Sequence, residues 1–298
     1  MQKDSKHWLC PPDPSKNYNI GCKAHQDGTA TWFFQGTVFD EWNAKGSLLW
    51  IHGKRAFSTL SLQQILIPPH LVAGSGKSIL LYVLSHYLCF WSFTSSTSSS
   101  IIRKIDSKRK AGLASMAYFY FDFRDAEKQH LRGLLSSLVF QLSAKSDLCY
   151  QILSQMYSDH AGGTEEPSED ALSQCLMEML EVPGQPAMYI IIDALDECPN
   201  ISGMPTAREQ VLEFLEHLVE LKLPNVHICA SSRPEIDIRN TLEPLAPFRM
   251  SLQDESGQKE DISSYVNAVV NADKRMRRWR NGDKQLVIET LSDKADGM

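Results

Sequence analysis

The sequence has no run of about 20 apolar residues of the length needed to cross a bilayer. The nearest stretch, Leu80 to Phe93, is interrupted by Ser85 and His86. The N-terminus, MQKDSKHWLC, lacks a cationic segment leading into an apolar one, so no secretory signal is expected. There is no CxxC pair and no zinc-like Cys/His spacing. The seven cysteines (Cys10, Cys22, Cys89, Cys149, Cys175, Cys198, Cys229) are odd in number and scattered, which argues against a disulfide framework and for reduced, mostly buried thiols in a cytoplasmic chain. Charge of one sign is also missing: the net charge is -6 and the pI about 5.9, which gives no electrostatic reason to bind nucleic acid or an anionic membrane. The one basic cluster, KRMRRWR (274–280), reads as a solvated helix face or a subdomain contact. No internal repeat is visible. What is present is 298 residues, 43% hydrophobic and 22% charged, the composition of a soluble globular protein with one large or two small domains.

Residues 1–45 are rich in turn formers and then in aromatics. They predict an extended lead-in that packs Trp32, Phe33, Phe39 and Trp42 onto a larger body. SLLWIHG (47–53), AYFYFDF (117–123), MYIIIDAL (188–195), NVHICASS (225–232) and a short segment near Phe248–Ser251 read as strands. Helices are expected from Lys77 to about Trp91, over the Leu131–Leu142 stripe, over 168–180, through Val211–Val219, from about Glu235, and near 259–271 and 284–295. SFTSSTSSS and the basic run after it read as a solvated loop. The alternation of strand and helix implies an α/β fold, a mostly parallel sheet with helices on both faces.

Three segments can carry chemistry. In GSGKS (74–78), the backbone N–H groups of Gly74, Ser75 and Gly76 can surround phosphate oxygens. Lys77 can neutralise the outer phosphates, and the Ser78 hydroxyl can ligate magnesium. The full eight-residue phosphate-loop pattern would need glycine at position 71, which is Leu71; alone, the match equally describes a Gly/Ser turn capping a helix. YIIIDALDE (189–197) ends an apolar strand in acids, which suits Asp193 near magnesium and a further carboxylate near the attacking water. The plainer reading is a core strand meeting solvent. ASSRPE (230–235) ends another strand, so Ser232 and Arg233 are expected to point toward the phosphates, unless Arg233 is a surface residue before a helix.

Taken in order, LLWIHGK, GSGKSIL, AYFYFDFRD, YIIIDALDECP, VHICASSRPE and SLQDESGQKEDISSYV resemble the NACHT nucleotide-binding domain of signal-transducing STAND-class NTPases, in the nephrocystin-like N-terminal variety common in filamentous fungi. The resemblance implies a P-loop three-layer sandwich over 46–298 preceded by the 1–45 lead-in, with ATP or GTP and Mg2+ as ligands. It implies phosphate contacts from Gly53 and 74–78 and magnesium at Ser78 and Asp193. It also implies water activation by Asp196 and Glu197, and terminal-phosphate sensing by Arg233. Family members act as switches that homo-oligomerise on nucleotide exchange and engage a protein effector.

The chain departs from the family pattern in two places. Gly53-Lys54 match the start of the family's loop and Gly74–Ser78 its end, and residues 55–73 stand where the family has a single residue. The excess is eighteen residues, a length of fifty-four nucleotides, and reads as an insertion or a retained intron. Helical, winged-helix and repeat regions are expected after DGM and are absent from this sequence. The leading reading is an NTP-binding switch module with slow hydrolysis. The alternative is a catalytically inactive fragment acting in protein–protein interaction. A small-molecule kinase is weaker, because the DALDE cluster suits activation of water.

Overall fold

The computed structural model describes residues 2–24, 31–53, 93–201, 205–252, short runs between 263 and 280, and 281–295. Five strands form one sheet: β1 (Ser47–His52), β2 (Ala114–Tyr120), β3 (Ala187–Asp193), β4 (Val226–Ser232) and β5 (Phe248–Ser251). Their order is β2-β3-β4-β1-β5 and every adjacent pair is parallel. All five carboxyl ends therefore lie along one edge, where the candidate residues after β1, β3 and β4 collect.

The strands are continuous apolar runs because helices cover both faces. Successive side chains alternate between two cores. Met188, Ile190 and Ile192 of β3 join Leu48, Trp50, Phe119 and Ile228 on one face. Tyr189 and Ile191 join Leu49, Ile51, Met116 and Cys229 on the other. The first face is covered by α6 (Leu131–Ser143), α7 (Asp147–Asp159), α8 (Glu169–Glu181), α9 (Ala207–Glu220) and α10 (Ile236–Leu245), the second by α3 (Thr31–Gln35), α4 (Thr37–Lys45) and α5 (Phe93–Lys110). This is the expected three-layer α/β sandwich. Ser146, Ser168 and Thr206 cap α7, α8 and α9, each accepting a hydrogen bond from the backbone three residues on. Gly46 turns α4 into β1 at φ +74, and a Cβ there would lie 2.9 Å from the Val226 carbonyl oxygen, so only glycine fits without strain.

Three expectations are corrected. The lead-in is helical rather than extended, comprising α1 (Gln2–Leu9), α2 (Ser15–Ala24), α3 and α4. Its prolines delimit helices instead of dissolving them: Pro11 and Pro12 separate α1 from α2, and Pro14 stands directly before α2. The aromatic packing is as expected, with Phe33, Phe39 and Trp42 buried, Trp32 against them, and the Trp42 indole N–H donating to the Ile228 carbonyl at 3.1 Å. The serine-rich stretch belongs to α5 and is not a solvated loop: Thr97 to Ser100 are buried, followed by buried Ile101, Ile102 and Ile105. Hydroxyls can be buried when they find partners, and the Ser99 and Tyr120 hydroxyls hydrogen-bond at 2.9 Å. The basic run then forms the last turn of α5, where cations complement the helix dipole. AYFYFDF is displaced by three residues, since β2 begins at Ala114 and ends at Tyr120.

The expected helix over 77–91 lies outside the described residues, as do Cys89 and residues 259–262, 265 and 269 of the helix expected near 259–271, whose other residues are helical. The other six cysteines are free, and Cys149, Cys175, Cys198 and Cys229 are buried. Among the described residues, no helix is long and apolar enough to cross a membrane.

Candidate functional site at the carboxyl edge of the sheet

Asp193 is the last residue of β3 and is fully buried. Strand alternation points its side chain to the α5 face. There the Ser98 hydroxyl donates to Oδ1 at 2.7 Å, and the Ser231 hydroxyl of β4 donates a short hydrogen bond to the same oxygen. The backbone turns sharply after it. Ala194 adopts φ +56, a left-handed conformation costly for a residue with a Cβ, and its N–H donates to the Ser231 hydroxyl at 3.1 Å. That corner starts the 3-10 turn Leu195–Glu197.

Asp196 and Glu197 leave this turn in different directions. Asp196 faces the end of β4: its Oδ1 accepts the Arg233 backbone N–H at 2.9 Å, and its Oδ2 pairs with the Arg233 Nε at 3.0 Å. Glu197 faces the loop after β2, where Oε2 accepts the Phe123 backbone N–H at 3.2 Å. Burial pushes the Glu197 carboxyl up to about 7. The Phe123 N–H opposes the shift, and the negative charges of Asp196, Asp122 and Asp193 reinforce it. A carboxyl that titrates near neutrality can take a proton and return it at working pH.

Four further residues shape the site and were not anticipated from the sequence. Ser98 lies in a low-complexity stretch with no local signal, and Ser231 stands beside Ser232, the residue that the strand end singles out. Ser232 is corrected: it is fully buried and its hydroxyl accepts the Trp50 indole N–H at 2.9 Å, so it faces the core of the first face rather than the phosphates. Asp122, beyond the end of β2, could have been found by the rule that singled out Asp193, an acid ending an apolar strand. Burial alone would raise its carboxyl. The side-chain and backbone hydrogen bonds of Arg124 and the Asn17 amide outweigh burial and hold it at about 2. Arg208 of α9 is buried and clamps the loops after β3 and β4 together. It donates to the carbonyls of Cys198 (2.8 Å) and Asp196 (2.7 Å) and pairs with Glu235 (2.5 Å) and Asp237 (3.2 Å).

Gly53 follows β1 on the same edge. Its N–H donates to the Ser232 carbonyl at 3.3 Å, and a Cβ would lie 3.2 Å from that of Leu252. The structure thus brings Gly53, Asp193, Asp196, Glu197 and Arg233 to one edge. Gly74, Ser75, Gly76, Lys77 and Ser78 lie outside the described residues.

The donor set suits a hard divalent cation. A buried carboxylate beside hydroxyls, Asp193 with Ser98 and Ser231, offers oxygen ligands only. Magnesium is commonly held this way, by one or two protein oxygens with phosphate and water completing the shell.

Residues 28–233 match the family model described as nephrocystin 3, N-terminal. The chain belongs to that family. It is also 26% identical over 245 residues to vegetative incompatibility protein HET-E-1 of Podospora anserina, an alignment covering 80% of this chain and 14% of the relative. The chain thus spans about a seventh of the length of that protein. The chain carries a nephrocystin-like, NACHT-type domain, and the matched residues include the carboxyl ends of β1, β3 and β4.

Proposed function

We propose that this module binds ATP or GTP with Mg2+ and hydrolyses it slowly, serving as a nucleotide-dependent switch. The observation that carries the reading is the buried Asp193 carboxylate at the sheet's carboxyl edge, with Glu197 and Arg233 four residues and one strand away and Glu197 poised near neutrality. In this reading Lys77 and the 74–78 backbone hold the phosphates, and Ser78 and Asp193 hold the metal. Bound magnesium would offset phosphate charge and polarise the terminal phosphoryl group. Glu197 accepts the proton of the attacking water. Asp196 keeps Arg233 at the edge, where the guanidinium can meet a terminal phosphate.

A second reading, a catalytically inactive interaction fragment, draws on the same geometry. The Asp193 carboxylate and the Asp196–Arg233 pair are already satisfied by protein partners.

Titration of the full chain with fluorescent ATP and GTP analogues in the presence of Mg2+ tests the first reading. Saturable binding is expected, weakened at least about tenfold by Lys77→Ala, since a charge-assisted contact contributes about 1.5–3 kcal/mol. Binding with no magnesium-dependent turnover, and none lost in Glu197→Gln, would select the second reading. No binding in the wild-type chain would remove the first.

A further inference from the structure

The N-terminal helices α1 and α2 precede the family-matched residues, which begin at 28, yet they are tied into the body. The Trp8 indole N–H donates to the Glu165 carbonyl at 2.7 Å, and Leu9 is buried in the first core. The more consequential tie is polar. The Asn17 side chain of α2 lies between two groups more than 100 residues away: its Nδ2 donates to Asp122 Oδ2 at 3.0 Å, and its Oδ1 accepts from Lys128 Nζ at 2.7 Å. Lys128 is buried, 2% exposed, and otherwise meets Asp125 at 3.7 Å.

Asp122 in turn organises its loop. It accepts the Arg124 backbone N–H at 3.0 Å and the Arg124 guanidinium at 2.8 Å through both oxygens. Between Asp122 and Arg124 sits Phe123, whose N–H is the donor to Glu197. The contacts therefore run without a break from α2 to the candidate base: Lys128, Asn17, Asp122, the 122–124 backbone, Glu197. An amide is well suited to the second place, since it donates to the carboxylate and accepts from the ammonium at once.

From this juxtaposition we infer that Asn17 is a positioning residue for the loop that holds Glu197, so that the helical segment before the family-matched residues is a working part of the site. The inference rests on the nucleotide-hydrolysing reading for its consequence in turnover, but the mechanical link is independent of it.

The test compares the full chain with Asn17→Leu, which keeps the number of side-chain heavy atoms and the branching and removes both hydrogen bonds. A second variant, Asn17→Leu with Lys128→Met, makes the whole buried pair apolar and so avoids a stranded ammonium. Lys16→Ala, on the exposed side of α2, is the control. Amide exchange in the nucleotide-free chain should rise about tenfold or more at residues 121–125 in both Asn17 variants, the loss expected for one charged hydrogen bond, with β3 and β4 unchanged. Magnesium-dependent turnover should fall about tenfold while affinity for the fluorescent nucleotide stays within about twofold, because neither residue belongs to the phosphate-binding set.

Unchanged exchange at 121–125, exchange rising throughout the sheet, or unchanged turnover despite a loosened loop would each overturn the inference. If the wild-type chain binds no nucleotide but the loop still loosens selectively, the functional reading fails and the positioning link stands. If it binds without turnover, the exchange result alone decides.

Discussion

At the scale of single residues, Glu197 is the most informative group because its titration couples the site to folding. Its folded pKa, about 7, lies above the ordinary 4.5, so the folded chain holds this proton more tightly than the unfolded one. The associated stability is fully present below pH 4.5, declines as pH rises through 7, and is absent above. The shift corresponds to about 3 kcal/mol at the alkaline end, as an order of magnitude. Glutamine at this position cannot ionise, so Glu197→Gln is expected to be more stable than wild type by up to about 3 kcal/mol at pH 8 and nearly equal to it at pH 4.5. Urea denaturation at the two pH values measures this, and a stability difference independent of pH would contradict the assignment. Asp122 works in the opposite sense: held at about 2, its contribution is present above 3.8 and lost as pH falls through 2. The two carboxyls thus pull stability in opposite directions across different pH windows, and both meet the same loop.

At the scale of elements, α5 shows most clearly what the sequence did and did not disclose. The strands could be read directly, because runs such as LLWI and YIII are apolar at every position and only a sheet covered on both faces buries them all. The helices with a single apolar stripe, α6 and α9, were equally legible. FTSSTSSS has neither signal. Its hydroxyls became compatible with burial only through partners from distant elements, Asp193 and Tyr120, and such pairings have no local signature. The α7 helix has a weak sequence signal for a milder form of the same reason, since only Cys149, Leu153 and Met156 of its turns are buried.

The docking of α5 through serine yields a prediction. Ser98→Ala removes a hydroxyl donor to a fully buried carboxylate, which should destabilise the chain by about 1–3 kcal/mol. Ser107→Ala, on the exposed side of the same helix with its hydroxyl bonded only to the Lys104 carbonyl, should cost much less. Comparison of denaturant midpoints checks it, and equal losses at the two positions would detach α5 from Asp193.

At the scale of the whole molecule, the parallel sheet decides where function can reside. Parallel strands place every carboxyl end on one edge, so the acids at the ends of β2 and β3 and the arginine after β4 converge although they are 71–75 and 36–40 residues apart in sequence. This convergence was legible from the strand pattern alone. The loop-to-loop contacts that orient the groups, through Arg208 and Asn17, were not, because each joins segments whose separation carries no periodic signal.

A ligand held at that edge touches the ends of several strands at once and should therefore stabilise the sheet as a unit. A ligand that binds only the folded state, present at about 100 times its Kd, adds about 2.7 kcal/mol. For a chain of this size that is a rise in Tm of about 5 °C. Thermal denaturation with a non-hydrolysable ATP or GTP analogue and Mg2+ is expected to show this rise, to lose most of it when Mg2+ is chelated, and to lose about half of it or more in Lys77→Ala. An undiminished shift in Lys77→Ala would mean that nucleotide binds somewhere other than this edge. The absence of any shift in the wild-type chain, with Glu197→Gln still stabilised at pH 8, would leave the acidic edge as a structural feature without a nucleotide.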